Sequence, residues 1–258
     1  SLLANMGDNL AGRGQYEDAM ALYRKSEQAF VAAGSTNTTN YATLLANMGA
    51  NLWKRGHIEE SMALYIKSEQ AYVAAGATNT ASYASLLANM GDNLAGRGQY
   101  EDAMALYRKS EQAFVAAGST NTANYADLLN SMGENLGERG HIEESMALYR
   151  KSEQAYVAAG ATNTANYASL LARMGANLGK RGQYEDEMAL YRKSEQAYMA
   201  AGATNSANYA TLLMNMGTNL GSRGQNEESM VLYRKAEQAY VAAGATHTAG
   251  YQQLRTDM

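Results

Sequence analysis

The 258-residue sequence contains no cysteine and no proline, and its aromatic residues are two phenylalanines, one tryptophan and nineteen tyrosines. The absence of cysteine excludes a disulfide framework, a thiolate metal site and a cysteine nucleophile. A composition this biased is unusual for a globular chain and is typical of internal repetition.

The sequence also lacks an excess of positive charge and any long apolar run. Its formal net charge of -4 at pH 7 disfavours a nucleic-acid partner, because phosphate binding needs clustered Lys and Arg. No segment approaches the roughly 18 consecutive apolar residues of a membrane span, and no signal peptide opens the chain. We therefore expect a soluble, cytoplasmic protein with neither a nucleic-acid nor a membrane partner.

Aligned with itself, the sequence shows a repeat of 42 residues. The six copies span residues 1–42, 43–84, 85–126, 127–168, 169–210 and 211–252, and residues 253–258 begin a seventh. Copies 1 and 3 differ only at Thr39 and Ala123. Because no copy can bury its apolar stripe alone, we predict one elongated domain over residues 1–258.

Each copy carries two helical patterns separated by glycine. In copy 1, apolar residues recur at helical spacing over residues 2–10 and the pattern stops at Gly14, which predicts helix A. A second stripe over residues 16–33 predicts helix B, which Gly34 closes. Each copy should therefore fold as a helical hairpin.

The segment between hairpins is rich in Ser, Thr and Asn, which predicts a short loop. In it, Thr38 is the expected cap of the next helix A. Helix A of copy 2 should then run from about Thr39 to Lys54.

The positions of several residues in copy 1 match a known motif. Met6 and Gly7 occupy its Leu-Gly pair, and Leu10 and Tyr16 occupy its two tyrosine positions. Gly14, Ala19 and Tyr23 occupy its glycine, small-residue and aromatic positions. The repeat resembles the tetratricopeptide repeat (TPR) family in all six copies, and its length looks most like the kinesin light chain type. The resemblance implies an all-α fold, a right-handed α-solenoid of six antiparallel hairpins with a partial seventh helix, which binds peptides.

Three features depart from the motif. The usual proline before helix A is missing, so helix boundaries can shift. Ser26 stands where a small apolar residue is preferred, and we expect its hydroxyl to bond a carbonyl one turn earlier. Glu187 replaces the small residue Ala19 of copy 1, and we expect its carboxylate to bend outward with local loosening.

Variation among the copies falls on one face of helix A. It affects repeat positions 1, 4, 5, 8, 11 and 12, which share an arc of roughly 120°. The TPR resemblance implies that this face lines a concave groove. The predicted peptide-binding residues are Asn5, Asp8, Asn47, Trp53, Lys54, Asn89, Asp92, Asn130, Glu134, Arg173, Lys180 and Asn215.

Asparagine suits such a groove because its amide both donates and accepts, and so can pair with the backbone of an extended peptide. Each of these residues has the alternative of being an ordinary solvated side chain. Trp53 is either a partner anchor or a shielding contact near the helix end. The asparagines at repeat position 9, from Asn9 to Asn219, we interpret as structural bonds between hairpins.

The sequence offers little for catalysis or metal binding. His57 and His141 occupy equivalent turns two repeats apart, too far to share a metal ion. The paired carboxylates Glu17 and Asp18 recur at the start of every helix B, which favours a role at the helix dipole. We predict no enzyme activity, no cofactor and no metal site.

These observations predict a scaffold that binds a peptide or protein segment in the helix A groove. The alternative is a structural repeat module that self-associates head to tail. With Ser1 already inside helix A and no initiator Met, the sequence leaves open a fragment of a longer array or a designed, consensus-like chain.

Overall fold

The computed structural model describes residues 2–258, and every regular element in them is an α-helix. The predicted all-α class is thereby confirmed. The chain divides into two compact units, the first ending at Thr120 and the second covering Asn121–Met258.

In the first unit, helices A and B alternate along the chain. The helices A are α1 (Leu2–Gly12), α3 (Thr39–Lys54) and α5 (Ala81–Ala95), and the helices B are α2 (Tyr16–Ala32), α4 (Ile58–Ala74) and α6 (Tyr100–Ala116).

The second unit continues the same alternation and ends in an additional helix A. Its helices A are α7 (Ala123–Glu138), α9 (Ala165–Gly179), α11 (Ala207–Ser222) and α13 (Ala249–Asp257), and its helices B are α8 (Ile142–Ala158), α10 (Tyr184–Ala200) and α12 (Asn226–Ala242).

Each helix A packs most extensively on the helix B that follows it, and each helix B also packs on the next helix A of its unit. In the first unit, Ala19 and Tyr23 of α2 share one apolar cluster with Leu44, Leu45 and Met48 of α3. The core is therefore continuous between hairpins, so each unit is an α-solenoid.

The helix boundaries follow local capping signals. Thr38 accepts a hydrogen bond from the Tyr41 backbone N–H at 3.3 Å, and α3 has the predicted bounds, Thr39–Lys54. Helix α2 ends at Ala32, one residue before the predicted end, and Gly34 turns the chain with a φ of 62°. A threonine or serine cap thus starts helix A without the motif's proline.

Two aromatic rings meet at the joint between consecutive hairpins. Tyr72 of α4 and Tyr83 of α5 pack edge to face with ring centroids 5.7 Å apart. Tyr198 and Tyr209 form the same contact in the second unit. Such pairs contribute about 0.5–1.5 kcal/mol beyond the area that they bury.

The buried serines of helix B bond a carbonyl of helix A, so the prediction of a carbonyl one turn earlier is wrong for the equivalents of Ser26. Ser68 Oγ donates to the Ala42 carbonyl oxygen at 2.7 Å, across 26 residues of sequence. Ser110, Ser152 and Ser194 repeat this bond at the same distance. Fully buried Ala42 lets the two helices approach closely enough for the bond.

Candidate functional site

The helices A form the more closely spaced row within each unit. Each touches the next helix A, as α1 touches α3 and α7 touches α9, whereas consecutive helices B make no such contact in residues 2–258. Because the closer row lies on the inside of a bend, the helices A form the inner row. The variable face belongs to this row.

In the first unit, the structure brings together two predicted binding residues from adjacent helices. Asp8 Oδ1 accepts hydrogen bonds from the Tyr23 hydroxyl at 2.7 Å and from Asn47 Nδ2 at 2.8 Å. Asn47 follows Asp8 by 39 residues, which joins α1 to α3. The Asp8 carboxylate therefore lies on the same face of the helices A as the predicted peptide-binding asparagines.

Tyrosines of helix B hold the aspartates of this face. Burial, then the hydrogen bond with Asp8 and its negative charge, raises the pKa of the Tyr23 hydroxyl well above its usual value. The Tyr107 hydroxyl likewise donates to Asp92 at 2.8 Å. Neutral tyrosines thus orient carboxylates on the variable face of α1 and α5.

The remaining predicted residues of the first unit are accessible to different degrees. Trp53 is 39% exposed and lies beside exposed Lys54 at the end of α3. Asn5 is exposed and Asn89 is half-buried. All four can be reached from solvent.

In the second unit, the main pair on this face is ionic. Arg173 Nη2 of α9 lies 2.9 Å from Glu134 Oε1 of α7, and both side chains are partly exposed. A partly exposed pair of this kind contributes at most about 1 kcal/mol. Arg173 follows Glu134 by the same 39 residues that separate Asp8 and Asn47.

Asp127 extends this pattern at the start of α7. It accepts a bond from Asn166 Nδ2 at 3.0 Å and one from the Tyr156 hydroxyl. Burial raises the pKa of Asp127, and these two hydrogen bonds oppose the shift. In other copies a hydroxyl occupies this position, as in the 2.7 Å pair of Ser169 and Tyr198.

The other predicted residues of the second unit differ in burial. Asn130 is buried, while Lys180 is exposed and Asn215 is half-buried. Lys180 and Asn215 line the same cleft between α9 and α11.

Three asparagines at repeat position 9 bond the preceding hairpin, as their structural interpretation predicts, whereas the side chain of buried Asn51 makes no hydrogen bond within the described chain. Asn93 Nδ2 donates to the Ile58 carbonyl oxygen at 2.9 Å, and Asn219 Nδ2 donates to that of Tyr184 at 2.9 Å. Asn177 bonds the Ser145 hydroxyl at 3.0 Å. These amides are therefore not free for a ligand.

Glu187 points inward, so the prediction of an outward carboxylate is wrong. It is 8% exposed, and Oε2 accepts a hydrogen bond from Asn219 Nδ2 at 2.7 Å. A Cβ added to Gly179 would lie 2.5 Å from Glu187 Oε1. The missing side chain of Gly179 therefore provides the space that the carboxylate occupies.

The sequence contains a signal for the buried position of Glu187, which appears only when two repeat positions are compared together. Gly137, Gly179 and Gly221 occupy repeat position 11 in copies 4 to 6, and the residues eight positions later are Ser145, Glu187 and Ser229. Comparing these two positions together would have paired Glu187 with a glycine.

No group of three His, Asp or Glu in residues 2–258 is placed to hold a metal ion. His57 instead contacts Glu60 at 2.9 Å on the surface. Every helix described in residues 2–258 is too short or too polar to span a lipid bilayer.

Residues 84–109, which cover most of one hairpin, match the sequence profile described as tetratricopeptide repeat. This stretch of the chain therefore carries the sequence pattern of a tetratricopeptide repeat. No curated protein sequence matches the chain. The TPR resemblance deduced from copy 1 is confirmed.

Solved structures show a similar all-helical fold at low sequence identity. BtubC (BKLC) from P. vanneervenii is 13% identical with a TM-score of 0.65, covering 91% of this chain and 92% of its own. The Rap conjugation gene regulator of plasmid pLS20, solved with the Phr* peptide, is 14% identical with a TM-score of 0.70, covering 98% of this chain and 74% of its own. A Podosopora anserina protein ascribed to the kinesin light chains, whose TPR-like repeats are nearly identical to one another, is 9% identical to this chain with a TM-score of 0.58. The match covers 76% of this chain and 92% of that protein.

Proposed function

We propose that this TPR chain is a protein-interaction scaffold whose helix A face holds an extended peptide or a segment of another protein. The observation that carries the proposal is the row of polar side chains on adjacent helices A, exemplified by Asp8 and Asn47. A solved structure of the same fold contains a bound peptide, the Phr* peptide.

The chemistry of the face fits a peptide backbone. Asn5, Asn47 and Asn89 lie on three successive helices A of the first unit and are exposed or half-buried. An extended backbone presents alternating N–H and C=O groups, and each asparagine amide can meet either kind. A ligand held this way is recognised largely independently of its sequence.

Charge adds selectivity to each unit. The first unit carries Asp8 and Asp92 on this face, and these acids favour a basic segment. The second unit presents Glu134 with Arg173 and, directly after the last residue of α9, Lys180. That face can therefore engage side chains of both signs.

The proposal is tested by selecting binders from a random peptide library on the wild-type chain and measuring their affinities for variants. Asn47→Ala combined with Asn89→Ala should weaken binding about tenfold or more, equivalent to about 1.4 kcal/mol. The matched control replaces two exposed loop asparagines, Asn37→Ala with Asn79→Ala, and should change affinity less than twofold.

The second unit has its own matched pair. Arg173→Ala should lower the affinity for peptides that bind through the second unit. Arg192 is an exposed arginine on α10, and Arg192→Ala should leave this affinity unchanged. Helicity should be unchanged in all variants. A library that yields no binder, or affinities within about twofold across all variants, contradicts the proposed function.

This function involves no catalytic residue, no cofactor and no metal. Head-to-tail self-association stays a separate prediction for the same chain. It is checked by sedimentation at increasing protein concentration, where a purely monomeric boundary contradicts it.

A further inference from the structure

Copy 5 differs from every other copy by carrying a third carboxylate in the first turn of helix B, at repeat position 19. The residues at this repeat position are Ala19, Ser61, Ala103, Ser145, Glu187 and Ser229. In copies 1 and 3 the alanine is fully buried against helix A. Only in copy 5 does an ionisable group occupy this place.

The carboxylate of Glu187 lies in a cleft between helices of the second unit. The cleft has a volume of about 370 Å³, and its lining includes Gly179, Lys180, Glu187, Tyr191, Asn215 and Thr218. These residues come from α9, from its C-cap residue Lys180, and from α10 and α11. Both Lys180 and Asn215 belong to the predicted binding face, so the cleft opens on that face.

No cation of the chain balances this carboxylate in residues 2–258. Its hydrogen-bond donors are neutral, the Asn219 amide at 2.7 Å and the Tyr191 hydroxyl, and no ion pair involving Glu187 occurs in that range. A buried carboxylate is costly unless a cation or several donors compensate it. Glu187 is therefore a buried acceptor with incomplete charge compensation.

The neighbouring donors are uncharged, and the cation in the cleft lining, Lys180, forms no ion pair with Glu187 in residues 2–258. Burial, then the charge of Glu187 and its hydrogen bonding, raises the pKa of the Tyr191 hydroxyl well above its usual value. Tyr191 therefore stays neutral. Lys180 lies at the edge of the cleft, exposed to solvent.

A second cleft adjoins the first along α9 and α11. Its volume is about 200 Å³, it is lined by Arg173, and it shares Ala176 and Asn215 with the Glu187 cleft. The amide of Asn215 lies between a cleft with a carboxylate and one with a guanidinium. A segment running along these helices would pass both.

We propose that the Glu187 cleft is a specificity pocket for a cationic side chain, lysine or arginine, of the segment that the chain binds. This inference rests on the proposed function, to which it adds the charge required at one ligand position. The ammonium or guanidinium group replaces the missing counter-charge and reaches Glu187 beside Asn215, where the ligand backbone passes.

The test compares two variants that remove the same charge. Glu187→Ser installs the residue that copies 2, 4 and 6 carry at this position, so the hairpin should fold normally. Glu185→Ser removes an exposed carboxylate two residues earlier, with a side chain 88% exposed. Glu187→Gln, which keeps the shape of the side chain, replaces Glu187→Ser if the serine variant is unfolded.

Random peptides are selected on the wild type and on both variants. We expect lysine or arginine to be enriched at one peptide position with the wild type and with Glu185→Ser, and this enrichment to disappear with Glu187→Ser. Replacing that peptide residue by glutamine should lower affinity about tenfold or more for the wild type and less than twofold for Glu187→Ser.

Lys180→Ala gives an independent check. Because Lys180 repels a cationic ligand at the cleft edge, its removal should tighten binding of the cationic peptide about twofold to fivefold. Weaker binding by this variant would contradict the repulsion and, with it, a cationic occupant of this cleft.

The outcomes separate this inference from the proposed function. Peptides that bind with no cationic preference, or with a preference that survives Glu187→Ser, overturn the pocket and leave the scaffold intact. A wild type that selects no peptide contradicts the scaffold. The pocket is then judged with n-butylguanidinium alone, which should shift the Asn219 side-chain amide resonances in the wild type and not in Glu187→Ser; unchanged wild-type resonances overturn it.

Discussion

Copies 1 and 3 have nearly the same sequence but different surroundings. Leu2 of α1 is 77% exposed, whereas its equivalent Leu86 of α5 is 1% exposed. Met6 and Met90 show the same contrast, at 49% and 6%. Helix α5 packs on the preceding helix α4, and the described part of the chain holds no such helix before α1. Burial of this face is therefore determined by the neighbouring hairpin rather than by the residues of the copy.

A hydrogen bond inside the hairpin is the same in the two copies. The Tyr23 hydroxyl donates to Asp8 at 2.7 Å, and the Tyr107 hydroxyl donates to Asp92 at 2.8 Å. Each copy thus has one core of its own and a second that it shares with a neighbour. The two kinds of contact can be separated by making the same substitution in both copies.

The largest difference should come from the leucine of the shared core. Leu86→Ala should lower the free energy of unfolding by about 2–5 kcal/mol, because it leaves a cavity against α4. Leu2→Ala should change it by less than about 0.5 kcal/mol. Guanidinium denaturation of both variants measures the difference, and equal losses would contradict a core shared between hairpins.

The next substitution should affect both copies alike. An added Cβ would lie 2.5 Å from Tyr23 Cε1 at Gly7 and 2.4 Å from Tyr107 Cε1 at Gly91. Each Gly→Ala change should therefore destabilise its hairpin by about 1–3 kcal/mol through overpacking. The same denaturation experiment checks this, and an effect confined to Gly91 would show that the hairpin of copy 1 lacks its own core.

The polar link between hairpins should give a smaller contrast. Asn93→Ala removes the bond to the Ile58 carbonyl oxygen and should cost about 1–2 kcal/mol. Asn9 is exposed, so Asn9→Ala serves as the matched control and should be nearly neutral. Amide hydrogen exchange at the start of α4 should increase only in Asn93→Ala, and unchanged exchange there would refute the link.

The smallest effect concerns copy 2, which lies between the two compared copies. Burial, reinforced by the negative charge of Asp92, raises the pKa of Tyr65 to about 12 from its ordinary value of 10.0. The folded chain keeps this proton after the unfolded chain has lost it, so stability falls as pH rises from 10 towards 12. Between pH 9 and 11 the wild type should lose about 1 kcal/mol more than Tyr65→Phe. Parallel pH profiles of unfolding free energy for the two proteins would exclude a role for Tyr65.

Local signals in the sequence predicted the boundaries of the helices. Thr38 and the apolar period after it place α3 at Thr39–Lys54, because a cap and the helix that it starts are neighbours in sequence. The partner of Ser68 was not predictable in this way, since Ala42 lies 26 residues earlier and only the packed hairpin brings the two together.

The candidate site was predictable as a face, but its internal contacts were not. Variation among the copies placed Asp8 and Asn47 on one arc, yet their bond depends on how closely adjacent helices A pack. Glu187 was judged by its own size, whereas its position depends on the space at Gly179. Contacts between helices depend on pairs of residues, and they cannot be predicted from one repeat position at a time.

The position of the only tryptophan has a practical consequence for spectroscopy. Trp53 belongs to the first unit, while tyrosines occur in the helices of both. Tryptophan fluorescence, excited at a wavelength that tyrosine does not absorb, therefore reports the unfolding of the first unit, which ends at Thr120. Tyrosine absorbance reports the unfolding of both units. Coincident optical transitions would mean that the array melts as one cooperative block, and separated transitions would assign a distinct midpoint to each half.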